Sequence, residues 1–387
     1  MYPTISYFIE DLTGVYIPLP IQTFGFFVAM AFIFAAWTMT IELKRKEKEG
    51  ILNVFIKEKI IGSKAKIHQL IGPLLFGFII GFKLIEAIFF YDEFVSNPQE
   101  FILSKRGNFI GGLVISLIYL INKLREYKKQ ELDKPKKINI SIHPHEIVSN
   151  IIIIAAVSGI IGAKIFHNLE NIEVFLNDPI GQILSFSGLT FYGGFICGAI
   201  AVIWYAKKHN IHYKHIADST APGLMLAYGI GRMGCHFSGD GDWGIENLFE
   251  KPEWLSFLPD WMWAYNYPNN VINAGIPIDG CVGQFCHQLP IPVFPTPIYE
   301  IIMSFILFGF LWYLRKKINI PGMIFGIYLI VSGLERFLIE KIRVNTTYTL
   351  FGREITQAEI ISSTMVIIGI SIVYQLYSNN KKKQLNL

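Results

Sequence analysis

Hydrophobic residues run through this chain in long, nearly unbroken blocks, with neither the two-residue alternation of strands nor the narrow apolar stripe of surface helices. Blocks long enough to cross an apolar layer about 30 Å thick lie near residues 21–41, 68–90, 146–168, 189–206, 297–314, 322–339 and 357–377. Two weaker blocks, 108–122 and 219–238, complete an expected set of nine membrane-spanning helices. The predicted fold class is all-α, a polytopic helical bundle. No basic region and small-residue cleavage site frame the first block, so it reads as a retained helix and not a removed signal peptide.

Composition sharpens this picture. The 387 residues are 52% hydrophobic and 17% charged with mean hydropathy +0.41, too apolar for an ordinary soluble domain. Basic residues follow alternate spans: Lys44 to Lys66, Lys123 to Lys137, Lys207 and Lys208, Arg315 to Lys317, and Lys381 to Lys383. Cytoplasmic loops carry such excess, so the N-terminus is expected outside and the C-terminus inside. Residues 91–107, 169–187, 240–296 and 341–356 then face out, the third of these being acidic. The net charge of +4 follows from topology, and nucleic acid is not an expected partner.

The chain reads as one integral membrane domain, 1–387, with two additions: a helical hairpin and basic loop over 60–130, and an outer insertion over 245–296. The hairpin looks duplicated. Phe76-Gly77-Phe78-Ile79-Ile80-Gly81-Phe82-Lys83 parallels Val157-Ser158-Gly159-Ile160-Ile161-Gly162-Ala163-Lys164, and Pro98 and Pro179 follow at equal offset. Phe109-Ile110-Gly111-Gly112 then parallels Phe191-Tyr192-Gly193-Gly194. Only the later copy has a polar side chain, Tyr192, at that place.

Three clusters gather at the expected outer ends of spans. One is Tyr192-Gly193-Gly194. The second, Gly229 to Gly244, places Arg232, Asp240 and Asp242 in a glycine-rich segment beside the membrane, where charge is costly unless it faces protein or binds a polar ligand. In the third, a continuous helix would put Arg336, Glu340 and Arg343 on one face. Glu340 would hold one guanidinium while the other forks onto a phosphate. The same residues would also suit a solvated helix end whose basic side chains reach lipid headgroups.

Together these motifs resemble the prolipoprotein diacylglyceryl transferases, integral enzymes of bacterial cytoplasmic membranes, from the first span to the last apart from the two additions. Gly231-Arg232-Met233-Gly234, Gly239-Asp240 and Trp243-Gly244 resemble the family signature of a glycine-arginine pair, an asparagine and a glycine-glutamate pair. Gly162-Ala163-Lys164 is similar to a glycine-alanine-arginine element, and Tyr192-Gly193-Gly194 to histidine-glycine-glycine. Pro295 to Glu300 is similar to the proline-bearing segment that ends in tyrosine-glutamate, and Arg336 to Arg343 to the arginine, glutamate and arginine pattern. The chain departs from the family at Tyr192 for histidine, at Cys235 or His236 for asparagine, at Asp240 for glutamate, and at Phe24 for a tyrosine of the first helix.

The resemblance implies transfer of the diacylglyceryl group of phosphatidylglycerol to the lipobox cysteine thiol of a preprolipoprotein, with release of glycerol phosphate. The expected partners are therefore phosphatidylglycerol, the lipobox peptide and membrane lipid, with no cofactor or metal. Arg232 and Arg336 are the expected cations for the leaving phosphate, and Tyr192, His236 and Asp240 the possible proton acceptors. Gly193, Gly194, Gly239, Glu340 and Arg343 are expected around the substrate. Competing readings are an inactive relative, or a transporter with its site between repeats, which would place charge near the midplane. Direct phosphate binding requires Arg232 and Arg336 to lie close together.

Other features carry weaker expectations. His209, His212 and His215 read as surface residues of an inner loop, and Cys197 as packing within a span. Trp243, Trp254, Trp261 and Trp263 crowd the outer insertion, which is expected on the membrane surface. Cys281 and Cys286 share that insertion either as a disulfide or as two free thiols.

Overall fold

The computed structural model describes residues 1–185, 190–345, 347–350 and 353–385. Its long helices coincide with the apolar blocks: Thr23–Lys48, Ile67–Phe89, Phe109–Gln130, Val148–Glu170, Phe191–Lys208, Tyr213–Ser238, Thr296–Leu314, Met323–Ile339 and Gln357–Leu385. Five segments among the described residues are long and apolar enough to cross a membrane: Thr23–Lys48, Ile67–Phe89, Pro144–Glu170, Thr296–Leu314 and Gln357–Lys382. The chain is a multi-pass, mainly helical membrane protein. The expected start of a span at residue 189 lies outside the described residues.

Basic residues close several helices, Arg45, Lys46 and Lys48 in one and Lys207 and Lys208 in another, where they complement the negative end of the helix dipole. The fold is not purely α. Phe55–Ile61 pairs antiparallel with Lys136–Ile142, and two shorter ribbons pair Ile276–Pro277 with His287–Gln288 and Thr347–Leu350 with Arg353–Thr356. The segments expected to be plain basic loops thus include a strand pair, in one strand of which the β-branched Ile138, Ile140 and Ile142 alternate.

The chain divides into two compact units. The first comprises Met1–Glu49, Val148–Ile152 and Ile203–Leu387. Its centre is the helix Tyr213–Ser238, which packs on Thr23–Lys48, Thr296–Leu314 and Met323–Ile339. Ala221, Met225, Leu311 and Ile324 form its core at one level, and Ala31, Leu226 and Ile230 at another. One end is tied by charge: buried Glu42 bonds Arg315 and Arg45, while Asp218 accepts the amides of Gly322 and Phe325 at 2.6 and 2.9 Å.

The second unit, Gly50–Ile147 with Ile153–Val202, contains two hairpins with the same order of elements. Each copy runs long helix, two six-residue helices, long helix; the short pairs are Tyr91–Ser96 with Pro98–Leu103, and Ile172–Asn177 with Pro179–Leu184. Asn97 and Asp178 cap the second short helix by accepting the amides of Glu100 and Gly181. Lys83 donates to the carbonyls of Phe101, Ser104 and Arg106, and Lys164 to the hydroxyl of Ser185. The long helices meet backbone to backbone: a Cβ on Gly81 would lie 2.4 Å from the Gly111 carbonyl oxygen, and one on Gly193 2.5 Å from that of Gly162.

Gly81→Ala and Gly193→Ala are each expected to destabilise the protein by about 1–3 kcal/mol, because the clash is with backbone. Gly72→Ala, with nothing within 4 Å of its added methyl, should not. Apparent unfolding midpoints in detergent check both statements.

Candidate active site

The helix Tyr213–Ser238 ends because Gly239 takes a left-handed conformation, φ 65°, and Gly241 follows at φ 98°. The chain then doubles back against two other segments. The Gly244 amide donates to the Phe294 carbonyl at 2.8 Å, and the Ile245 amide to that of Ile342 at 2.9 Å. These bonds bring the ends of three helices into one place and set three arginines and a tyrosine around a carboxylate.

That carboxylate is Glu300, in the first turns of Thr296–Leu314 and fully buried. It receives Arg232 Nε at 3.1 Å, Arg336 Nη1 at 3.4 Å, Arg343 Nη1 at 3.3 Å and the Tyr228 hydroxyl at 2.7 Å. Asp242 bridges Arg232 and Arg343 through its two oxygens. Glu340 holds Arg336 at 2.9 Å and accepts from Asn345. The Arg232 guanidinium also lies 5.0 Å from the Tyr228 ring centre. Arg336 is the most open of the three arginines, 27% exposed against 15% and 8% for Arg232 and Arg343. Arg232 and Arg336 thus share one carboxylate.

The expected stripe through Arg343 is corrected. The helix stops at Ile339, Glu340–Ile342 is a 3-10 turn, and Arg343 is extended. The Arg336 to Glu340 pair holds, but the Arg343 side chain turns to Glu300 and Asp242. Asp240 does not bridge the arginines; its carboxylate accepts the Asp242 amide at 3.2 Å. Burial pushes the Asp240 carboxyl above the ordinary carboxylate range, against the pull of Cys235, Arg232 and Arg343. Gly239 packs on Asn270, whose buried amide fastens the surrounding loops by bonds to the carbonyls of Tyr267, Ala274 and His287.

His236 lies elsewhere, in an aromatic wall, with the Tyr267 hydroxyl 3.4 Å from Nδ1 and the Trp261 and Tyr265 rings about 6 Å away, at 6.1 and 6.0 Å. Tyr192, Gly193 and Gly194 belong to the second compact unit. There both glycines seat their helix on Val148–Glu170. Phe24 packs at Gly234: a Cβ on that glycine would lie 3.3 Å from its ring. Cys281 and Cys286 form a disulfide. His212 caps the helix that contains His215, and His209 hydrogen-bonds the Tyr205 carbonyl.

Two central residues, Glu300 and Asp242, were not among the expected site residues. Glu300 did have a signal, a lone carboxylate in the first turns of an otherwise apolar helix. Glu335, near the end of Met323–Ile339, is a further buried carboxylate, 4% exposed, its Oε1 unpaired among the described residues.

Comparison with known proteins places this arrangement. Residues 127–375 match the family model described as prolipoprotein diacylglyceryl transferase. The phosphatidylglycerol–prolipoprotein diacylglyceryl transferase of Vibrio vulnificus is 28% identical over 237 residues, covering 60% of this chain and 76% of that protein. Its namesake in Dehalococcoides mccartyi is 28% identical over 242 residues, covering 62% and 80%. The one from Corynebacterium diphtheriae is 28% identical over 229 residues, covering 58% and 75%. With the match taking in Arg232, Glu300, Arg336 and Arg343, the chain belongs to the prolipoprotein diacylglyceryl transferase family.

Proposed function

We infer that this protein transfers the diacylglyceryl group of phosphatidylglycerol to the lipobox cysteine of a prolipoprotein. The observation that carries this reading is the convergence of Arg232, Arg336 and Arg343 on buried Glu300. A cysteine sulfur attacks the glyceryl carbon that bears the phosphate ester; a carbon–sulfur bond forms, the carbon–oxygen bond breaks, and glycerol phosphate leaves with the electron pair. Charge grows on the phosphate oxygens as that bond breaks. Guanidiniums fixed beforehand by Glu300, Asp242 and Glu340 meet it without reorganising, which is how preorganised donors lower a barrier. Each arginine has five N–H donors, so those not used on carboxylates remain for the phosphate.

The thiol proton goes to Asp240 in this reading. Its carboxyl, raised by burial, is a better acceptor than an ordinary carboxylate, and it follows directly on the arginine helix. Tyr192 and His236 are the other acceptors. Asp240→Asn should lower kcat/KM by about 10²–10⁴-fold. In the unaltered protein the rate falls as pH drops through the raised pKa of Asp240; the variant should lose that acid limb. Tyr192→Phe and His236→Gln should keep it. A pH–rate profile for each variant decides.

The topology follows from charge: nine spans, N-terminus outside and C-terminus inside, with the arginine cluster on the outer face of a bacterial cytoplasmic membrane. Exposed Leu248, Phe249, Trp254 and Phe257 suit an outer insertion resting on the membrane surface. The transfer is tested by glycerol phosphate release from phosphatidylglycerol vesicles. Release with a lipobox peptide and none with its cysteine-to-serine analogue is expected; equal release with both would overturn the reading.

A further inference from the structure

Beside the arginine cluster the first unit contains a cavity of about 660 Å³ that the proposed reaction does not use. Tyr2, Tyr7 and Phe237 line it together with Trp261, Tyr265 and Phe285 of the insertion, and His236 is in its wall. Glu10 and Asp11 stand at the rim, both exposed, and the Tyr2 hydroxyl donates to Asp11 at 2.6 Å. Among the described residues no lysine or arginine side chain lines it. The Met1 ammonium in the wall is turned to the Pro268 carbonyl at 3.0 Å. The surrounding segments share this sign: residues 1–22 have Glu10 and Asp11 and no lysine or arginine, and residues 245–296 have five carboxylates to one lysine. Aromatic faces with carboxylates at the edge are the surroundings that hold an organic cation, through ring quadrupoles and charge together.

Position narrows the occupant. His236 of the cavity wall and Arg232 of the cluster are four residues apart on one helix, about 6 Å along its axis. An extended peptide advances about 3.3–3.6 Å per residue, so a chain with its cysteine at the arginines reaches the cavity within a few residues. Residues before the lipobox cysteine belong to the apolar stretch of a signal peptide and suit a charged rim badly. Those after it are extracytoplasmic and free to be polar.

We propose that this cavity binds a lysine or arginine side chain of the prolipoprotein, within about four residues after the lipobox cysteine, and so sets a preference among substrates. The proposal rests on the transfer reading above and adds a specificity site to it.

The test compares two lipobox peptides, one with lysine and one with glutamine at the third position after the cysteine, in phosphatidylglycerol vesicles. Wild-type enzyme should show a kcat/KM about fivefold higher for the lysine peptide, mainly through KM, as expected for one cation held by aromatic rings and exposed carboxylates. Glu10→Gln with Asp11→Asn should erase that preference and leave the rate on the glutamine peptide unchanged. A lipid ammonium headgroup offers the same chemistry, so the comparison is repeated with phosphatidylethanolamine added. Equal wild-type rates on both peptides, a preference that survives the double substitution, or an effect of the substitution that tracks ethanolamine lipid instead of peptide charge would each overturn the proposal while leaving the transfer reading intact. No product with either peptide would overturn both.

Discussion

Glu300→Ala is expected to do the most damage of any single substitution, lowering both stability and turnover. Three guanidiniums and the Tyr228 hydroxyl lose a common acceptor that is fully buried. Removing one partner of a buried ion pair leaves uncompensated charge and costs about 3–5 kcal/mol. The arginines would also spread apart and lose the preorganisation on which phosphate stabilisation depends, so turnover should fall by about 10²–10³-fold or more. Glu300→Gln keeps an acceptor oxygen and the volume, and should recover part of the stability but less of the activity. Unfolding midpoints in detergent, set beside single-turnover rates, separate the two effects. A Glu300→Ala protein with normal stability would show that the carboxylate is not the organising centre.

Arg232→Ala should have the opposite profile, with turnover lost and the fold kept. Without Arg232, Asp242 still pairs with Arg343, and Glu300 still has Arg336, Arg343 and Tyr228. No carboxylate is stranded. What disappears is the cation fixed at the junction of Glu300 and Asp242, and the expected loss is at least about 10²–10³-fold in kcat. Lysine should not rescue it, because a point charge cannot replace a planar fork that spans two carboxylates. Wild-type rates in a correctly inserted Arg232→Ala protein would remove Arg232 from the reaction.

The helices were legible because an apolar block of about twenty residues has few other uses. Glycines and a lysine at matched offsets of the two hairpins make matched backbone contacts and lysine hydrogen bonds. The strand pair Phe55–Ile61 with Lys136–Ile142 was hidden because its partners lie far apart in sequence and its lysines read as loop charge. At the site, sequence supplied the arginines and one partner, Glu340, but not the other two, Glu300 and Asp242. A helical stripe requires the helix to continue, and here it tightens into a 3-10 turn after Ile339, so Arg343 swings to a different carboxylate. Asp242 took the bridging place that periodicity could not assign, because two consecutive turns at Gly239 and Gly241 set its direction. The aromatic cavity was invisible for a similar reason. Its walls join residues 1–11 to residues 236–237 and 261–285, more than two hundred positions on.

The most direct measurement is the mass of a lipobox peptide after incubation with the purified protein and phosphatidylglycerol, followed by mild alkaline removal of ester-linked chains. The peptide should gain a diacylglyceryl group and, after alkali, keep a glyceryl group on sulfur, because a thioether survives where esters do not. A peptide that remains unmodified under conditions that support another member of the family, or one that returns to its starting mass after alkali, would contradict the account.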